Sequence, residues 1–481
     1  MKQYPMIIGC DDVSGGSLAL TEPATAQTFA TAAEGDPKAA HHAVQVAAKA
    51  QRLWGSLTPA ERQQQLLTWV SALDAQHEAL AQLESQNAGK PIRDARVEVG
   101  GAIDALRYFA GIARYREGIS AGEYSQGMQS FVRREPIGVV AVITPWNYPL
   151  LTAMSLLAAA IAAGNSVVLK PAPNTPTTII TALRLGLDAG FPAGVVNIVT
   201  GQAEVGEALI GHPDVGMVAF TGSTRTGRRV AELAAQQVKR TTLELGGKAP
   251  AVVFADADIP IAAQGIAQAA YTNAGQSCVA ATRIYVQQSV FDEFLAAFTE
   301  VSRSVRLGTP DDEATEMGPL ASQAQLDKVE AYLHWARTSG VQVALGGKRL
   351  KRPGFYYPPT ILLGAPQDSR LVQEEIFGPV VVVSPFADAA EAVRLANDTP
   401  YGLAASLWTQ DIGQALRTVP LLQSGTVWVN THGALPAELP HGGVKLSGVG
   451  KDQSHYALEQ YSIIKHVTLE TATAQPFGGT N

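Results

Sequence analysis

The sequence predicts an α/β fold with a nucleotide-binding type of domain, and three observations carry that prediction. From Arg133 onward, short apolar runs alternate with helical stretches. Glycines stand where two of those runs hand over to a helix. The chain has 481 residues, 46% hydrophobic and 16% charged, enough for more than one buried core. That balance excludes a chain disordered over most of its length.

After a short polar start, residues 40–54, 59–86 and 97–116 repeat apolar side chains at three- and four-residue steps, which predicts helices. Thr58-Pro59 supplies an N-cap and a proline at the first helical position. Strands are then expected at 138–144, 166–170, 195–200 and 215–221, with helices at 151–163, 176–189, 204–210 and 225–236 between and after them. Continuous apolar strands separated by helices imply parallel pairing with both sheet faces covered. A second α/β series begins after Gly246-Gly247. Its strands are expected at 251–254, 284–286, 341–345 and 380–384, and its helices at 258–269, 290–305 and 323–339. Residues 117–132 lack periodicity and read as an excursion. Residues 462–469 read as β-like, before a Thr/Gly-rich end expected to be loose.

Composition also limits function. The net charge is −7, and no basic run exceeds two or three residues, which argues against a nucleic-acid surface. The longest apolar stretch, 150–163, falls short of the ~18–20 residues of a membrane span. No secretory signal is visible, so a cytoplasmic location is expected. Two cysteines, Cys10 and Cys278, make neither a disulfide framework nor a zinc ligand set, and no metal is expected.

Gly201 and Gly206 follow one strand, and Gly222 and Gly227 follow the next. Backbone N–H groups and a helix dipole at such handovers favour a phosphate, although neither pair has the G-x-G-x-x-G spacing and tight turns explain them equally. Lys170 ends a strand on the rim where α/β sheets bind ligands. Cys278, in Gly275-Gln276-Ser277-Cys278, reads either as a presented thiol or as a small buried hydrophobe. Glu244, between two leucines and ahead of Gly246-Gly247, reads either as a buried base or as an edge carboxylate in water. Asn147, in Trp146-Asn147-Tyr148-Pro149, reads as an oxyanion donor or as a turn residue.

Taken together, TPWNYP, KPAPNTP, FTGSTRTG, LELGGKAP, GQSCVAATR and EEIFGPV, in this order, resemble the aldehyde dehydrogenase superfamily over nearly the whole chain. The C-terminal stretch SGTVWVNTHGALPAELPHGGVKLSGVGKD looks most like the bacterial γ-aminobutyraldehyde and betaine-aldehyde branch. The resemblance implies Cys278 as nucleophile, Asn147 with the Cys278 N–H as oxyanion holder, and Glu244 as the base that activates water. It implies a cofactor, NAD with NADP possible, held by Thr144, Pro145, Trp146, Lys170, Pro173, Gly201, Gly206, Gly222, Ser223, Leu245, Glu375 and Phe377. The division it suggests is a Rossmann-type cofactor domain at 1–116 and 137–246 and an α/β catalytic domain at 247–445. A small β oligomerisation arm and tail take 117–136 and 461–481, giving a homodimer or homotetramer.

The sequence departs from that pattern in three places. Pro173 stands where many members have glutamate, which leaves room for a 2′-phosphate. Ser155-Leu156 replaces a common Trp-Lys pair, which predicts a wider aldehyde tunnel. The loop at Thr200-Gly201-Gln202-Ala203 is one residue short. The substrate is expected to be a small aldehyde, most simply an ω-aminoaldehyde, with Asp104 and Glu438 attracting the ammonium and Tyr148 and Trp428 as aromatic walls. Alternatives are a bulkier or aromatic aldehyde, a CoA-acylating enzyme, and a non-catalytic protein on the same fold.

Overall fold

The computed structural model describes residues 1–115 and 118–471. Five parallel strands form the centre of an eight-stranded sheet, in the order Arg240–Glu244, Val215–Thr221, Val139–Ile143, Ser166–Lys170, Val196–Ile198. The first of these in the chain, Val139–Ile143, lies in the middle, so the strand order reverses beside it. A crevice opens at the carboxyl ends of strands at such a reversal. Antiparallel edges complete the sheet: Gly448–Val449 beside Arg240–Glu244, and Met6–Ile8 with Asp11–Val13 on the far side.

The second sheet has seven strands. Ala249–Val253, which directly follows Gly246-Gly247, runs between Ala281–Gln287 and Ala404–Trp408. Val380–Phe386 and Thr360–Leu363 extend it on one side and Thr426–Val429 on the other, all parallel, with Gln342–Leu345 as an antiparallel edge. A small antiparallel sheet joins Gly122–Ser125, Met128–Pro136 and Ser462–Glu470.

Most expected strands and helices are present within a few residues. Thr58 completes a capping box with Glu61, a device that adds about 1 kcal/mol to a helix start. Three expectations need correction. The polar start is not a lead-in to helices: residues 1–34 hold five strands, among them Gly16–Glu22 and Gln27–Glu34. The helix expected over 59–86 breaks at Ala75-Gln76 into Pro59–Asp74 and His77–Ala88. The strands Thr360–Leu363, Ala404–Trp408 and Thr426–Val429 were absent from the expected second series. The Thr/Gly-rich end from 472 lies outside the described residues.

The helix Pro149–Ala162 is buried on almost every face, under Trp54 and Trp69. Both indole N–H groups are satisfied, by the carbonyls of Ile161 and Ala182 at 2.9 Å each. No described helix is long and apolar enough to cross a membrane.

Candidate active site

Two sheet edges supply the site. Thr144, Gly222 and Leu245 follow the carboxyl ends of strands in the first sheet, whereas Gly246-Gly247, Cys278 and Glu375 precede strands of the second. The site lies where these two edges meet.

Cys278 arrives through a strained loop. The helix Ile259–Tyr271 stops, and Asn273, Ala274 and Gly275 all take left-handed backbone angles, with φ of 52°, 54° and 71°. An alanine held there costs roughly 1–2 kcal/mol, so the surroundings must impose the loop. They do so through amides. Asn273 Nδ2 donates to the carbonyls of Asn147 (2.9 Å) and Gln276 (3.2 Å), and the Gln276 side chain accepts from Ala321 N at 2.9 Å. Asn147 Nδ2 donates to Gln276 O at 3.1 Å, which places its amide against the cysteine loop. The Cys278 side chain is half-buried in an apolar cluster with Ala249, Val279, Leu403, Ala404, Trp428 and Leu435. Burial first, then the charges of Glu244 and Glu375, push its thiol up to about 12.

Behind Asn147 lies a group of buried charges that the sequence reading missed. Lys90 is 1% exposed, forms an ion pair with Glu98, donates to Asn147 O at 2.9 Å and stands 4.4 Å over the Tyr148 ring. Glu84 and Glu98 accept from the Leu150 and Leu151 N–H groups at 3.4 and 3.3 Å, capping the helix that begins at Pro149. Burial holds Lys90 down to about 8, against the pull of Glu84 and Asp94. The partners lie far from TPWNYP in sequence, so no local pattern signals them.

Glu244 is the opposite case. It is buried, and neither carboxylate oxygen has a hydrogen-bond partner among the described residues. Burial first, then the charge of Asp452, raises its pKa well above the usual carboxylate range, with Lys451 opposing. Its backbone is fixed by pairing with Gly448 and by Gly222 N donating to Glu244 O at 3.0 Å. The reading as an edge carboxylate in water is therefore excluded by its burial. His441 Nε2 stands 4.0 Å from Glu244 Oε2.

Along the first sheet's rim, Lys170 is buried and brought down to about 8 by desolvation, with the Glu204 charge opposing. Thr144 N donates to Lys170 O at 3.1 Å, and the Thr144 hydroxyl is a buried polar group without a protein partner among the described residues. These two polar groups, beside the crevice at the strand reversal, fit a hydroxyl-rich nucleotide. Pro173 is half-buried just beyond. Gly206 sits within the helix Ala203–Gly211 against the Lys170 stem, where a Cβ would make an ordinary 3.5 Å contact. Gly201, at φ +139°, precedes that helix. Two of the expected phosphate donors are otherwise engaged. The Gly222 N–H is bonded to Glu244 O, and the glycine serves instead to clear the Phe220 ring. The Ser223 hydroxyl caps Thr226 N at 3.3 Å. Leu245 is buried under Gly227.

Glu375 Oε1 accepts from Gly247 N at 2.9 Å, and a Cβ on Gly246 would lie 2.5 Å from its other oxygen. Phe377 takes φ +62°, an outlier for a bulky residue, and is held there by Gln325 Nε2 on its carbonyl at 2.5 Å. Its ring meets Trp146 edge-on at 5.4 Å, and Pro145 precedes that indole.

On the aldehyde side, Trp428 Nε1 donates to Ala434 O at 2.9 Å, and the His432 ring lies 4.6 Å from the indole. Burial brings His432 down to about 4, so the ring is neutral. Its Nε2–H donates to Val279 O at 2.6 Å and its Nδ1 accepts from Ser406 at 2.9 Å, bracing the cysteine loop from this side. Ser155 is buried in the helix after Tyr148. Asp104 does not join the site: it is 58% exposed and 3.4 Å from Arg107, whose other partner is Asp74 at 2.7 Å. Tyr108, four residues on and therefore on the same face of that helix, is half-buried, and the charge of exposed Glu438 reaches it. No cluster of metal-ligating side chains occurs among the described residues.

The aldehyde dehydrogenase family model matches residues 11–467. An NAD-dependent aldehyde dehydrogenase from Sinorhizobium meliloti superimposes with a TM-score of 0.97 at 39% identity, over 99% of this chain and 97% of that one. A betaine aldehyde dehydrogenase from Staphylococcus aureus, in complex with NAD+, gives 0.96 at 35% identity, over 99% and 97%. With a match of that extent, and with a thiol, an amide and a buried carboxylate meeting where its motifs fall, the chain belongs to the aldehyde dehydrogenase family.

Proposed function

We propose that this chain uses NAD to oxidise an ω-aminoaldehyde such as γ-aminobutyraldehyde to its acid, through a thiohemiacetal and a thioester on Cys278. The observation that carries the chemistry is the meeting of three groups. The Cys278 thiol lies on a loop bonded to the Asn147 amide, and the Glu244 carboxylate, without a hydrogen-bond partner among the described residues, stands close enough for its charge to raise that thiol.

The Cys278 thiol gives up its proton to solvent as its sulfur bonds to the aldehyde carbon, and Asn147 and the Cys278 N–H stabilise the oxyanion that forms. Bound NAD would supply the hydride acceptor that turns the thiohemiacetal into a thioester. Lys170 and Thr144 take its adenosine side, and Glu375 and Phe377 its nicotinamide side. Glu244 then removes a proton from the water that attacks the thioester. With Pro173 in place of glutamate, NAD is preferred and NADP is used measurably. Glu204, whose charge reaches Lys170, is the acid left to disfavour a 2′-phosphate. The exposed Tyr124, Ile463, Ile464 and Leu469 of the small sheet support its role as an oligomerisation arm.

For the substrate, Glu438 beside Tyr108, the aromatic rings of Tyr148 and Trp428, and a relative that takes betaine aldehyde all favour a cation. Buried Ser155 in place of tryptophan favours the second reading, a bulkier or aromatic aldehyde. A panel of amino-, aromatic and straight-chain aldehydes, assayed with NAD and NADP and with and without CoA, tests the proposal. Highest kcat/KM for an aminoaldehyde, giving free acid without CoA, supports it. A CoA requirement or a preference for NADP overturns it.

A further inference from the structure

We infer that His441 is a positioning residue for Glu244, its Nε2–H donating to the carboxylate and keeping it ionised as a base near neutral pH. This rests on the reading of Glu244 as the base of thioester hydrolysis. Nε2 stands 4.0 Å from Oε2, and a side-chain rotation of about 1 Å closes that to an ordinary N–H···O distance. The Glu244 side chain is buried and that of His441 is 12% exposed, and neither carboxylate oxygen nor His441 Nδ1 has a hydrogen-bond partner among the described residues.

The backbone aims the ring. His441 and Asp452 exchange two antiparallel hydrogen bonds of 2.8 and 2.7 Å. Gly442, at φ +153°, passes so close that a Cβ there would lie 2.6 Å from Glu244 Oε1. Four other titratable groups face this pair. The Lys451 ammonium is bonded to Gly442 O, and Asp452 is a buried acid whose charge pushes Glu244 up. The buried Tyr461 hydroxyl lies within the field of both carboxylates, and Cys278 is the reacting thiol.

Burial first, then Lys451, holds His441 down to about 4, so the imidazole is neutral and carries one N–H. A neutral donor favours the ionised form of the carboxylate it touches, and here it opposes desolvation and Asp452. In hydrolysis the water oxygen bonds to the acyl carbon while its proton passes to Glu244. The carbon–sulfur bond then breaks, the free acid leaves, and the proton on Glu244 returns to the Cys278 sulfur. His441 keeps its hydrogen throughout.

The test compares wild type, His441→Phe and His441→Gln between pH 6 and 10. Stopped-flow NADH formation reads the first turnover, quenched-flow acid formation reads hydrolysis, and melting curves confirm folding. Phenylalanine removes the donor, and the apparent pKa of hydrolysis should rise by about one unit, a tenfold loss of its rate at pH 7. Glutamine keeps an N–H without titrating and should fall between the two, and first-turnover NADH should match in all three. An unmoved pH limb in the phenylalanine variant overturns the assignment. So does an equal loss at every pH, which would mark mere packing. Wild type that hydrolyses its acyl-enzyme equally well with Glu244→Gln would instead sink the reading of Glu244 itself.

Discussion

The surroundings of Asn147 and of Glu244 solve opposite problems within one site. Around Asn147, the polar groups are matched to partners. Its carbonyl takes Lys90 and Asn273 at 2.9 Å each, its amide gives to Gln276, and Lys90 is paired with Glu98. Around Glu244, a buried carboxylate has no hydrogen-bond partner within reach among the described residues, and the nearest donor, His441, stands 4.0 Å away. An oxyanion holder works by fixed position, so its supports must be rigid. A base works by changing its charge, and a carboxylate tied up in strong pairs would hold no proton near neutral pH. Partnered burial builds geometry here, and unpartnered burial builds reactivity.

The sharpest way to break this contrast is Glu244→Gln. Removing the base should lower steady-state turnover by ~10²–10⁴-fold while first-turnover NADH still appears. Stability should hold or rise, because a buried carboxyl without a hydrogen-bond partner among the described residues is replaced by a neutral amide. The sign with pH follows. Burial raises the folded-state pKa, so this group's contribution to stability is present at low pH and is lost as pH rises through the raised value. The glutamine variant lacks that alkaline loss, and denaturation curves at pH 6 and 9 measure it.

Lys90→Met should do the reverse. It leaves Glu98 and Glu84 buried without their cation, a loss of about 3–5 kcal/mol by analogy with other broken buried pairs. Activity should fall with it, because Asn147 O keeps only Asn273. Urea denaturation and kcat on the same sample decide the matter. A stable variant with normal kcat would mean the buried charges do not position the oxyanion side.

How much of this was legible in the sequence depends on how local each signal is. Ser166–Lys170 and Val215–Thr221 are continuous apolar strands, and the structure has them with the same bounds as the sequence reading. Gln27–Glu34 went unseen because its threonines and small alanines carry no strong alternation, and its pairing with Lys2–Tyr4 and Gly16–Glu22 is a tertiary fact. The three motif residues were legible because each sits at a strand end or a glycine turn. Lys90, Gln325, His432 and His441 were not, since each acts on a partner brought near only by folding. Asp104 failed for a phase reason, since it shares the outer face of its helix with Arg107.

The cysteines give a smaller but direct reading of the Glu244 side. Cys10 is exposed, whereas Cys278 is half-buried and its thiol is pushed up to about 12. Iodoacetamide should therefore label Cys10 first in the cofactor-free protein at neutral pH. Labelling of Cys278 should climb about tenfold per pH unit from 7 to 10, since only the thiolate reacts. Peptide mapping after timed quenching separates the two sites. In Glu244→Gln the Cys278 rate should rise, because one of the two charges opposing the thiolate is gone.

The smallest expected effects test the rim, where neither rigidity nor reactivity is at stake. Asp104 is exposed and already neutralised by Arg107, so Asp104→Asn should leave kcat/KM for γ-aminobutyraldehyde unchanged. Glu438→Gln should lower it by no more than about fivefold, since an exposed charge is worth ~0–1 kcal/mol. A neutral aldehyde of similar length should not notice either change, and added salt should shrink the Glu438 effect, because exposed charges are screened over about 10 Å at 0.1 M. If Asp104→Asn proves the more damaging of the two for the cationic substrate alone, the ammonium passes along the outer face of that helix, and Asp104 rather than Glu438 is the charge that draws it.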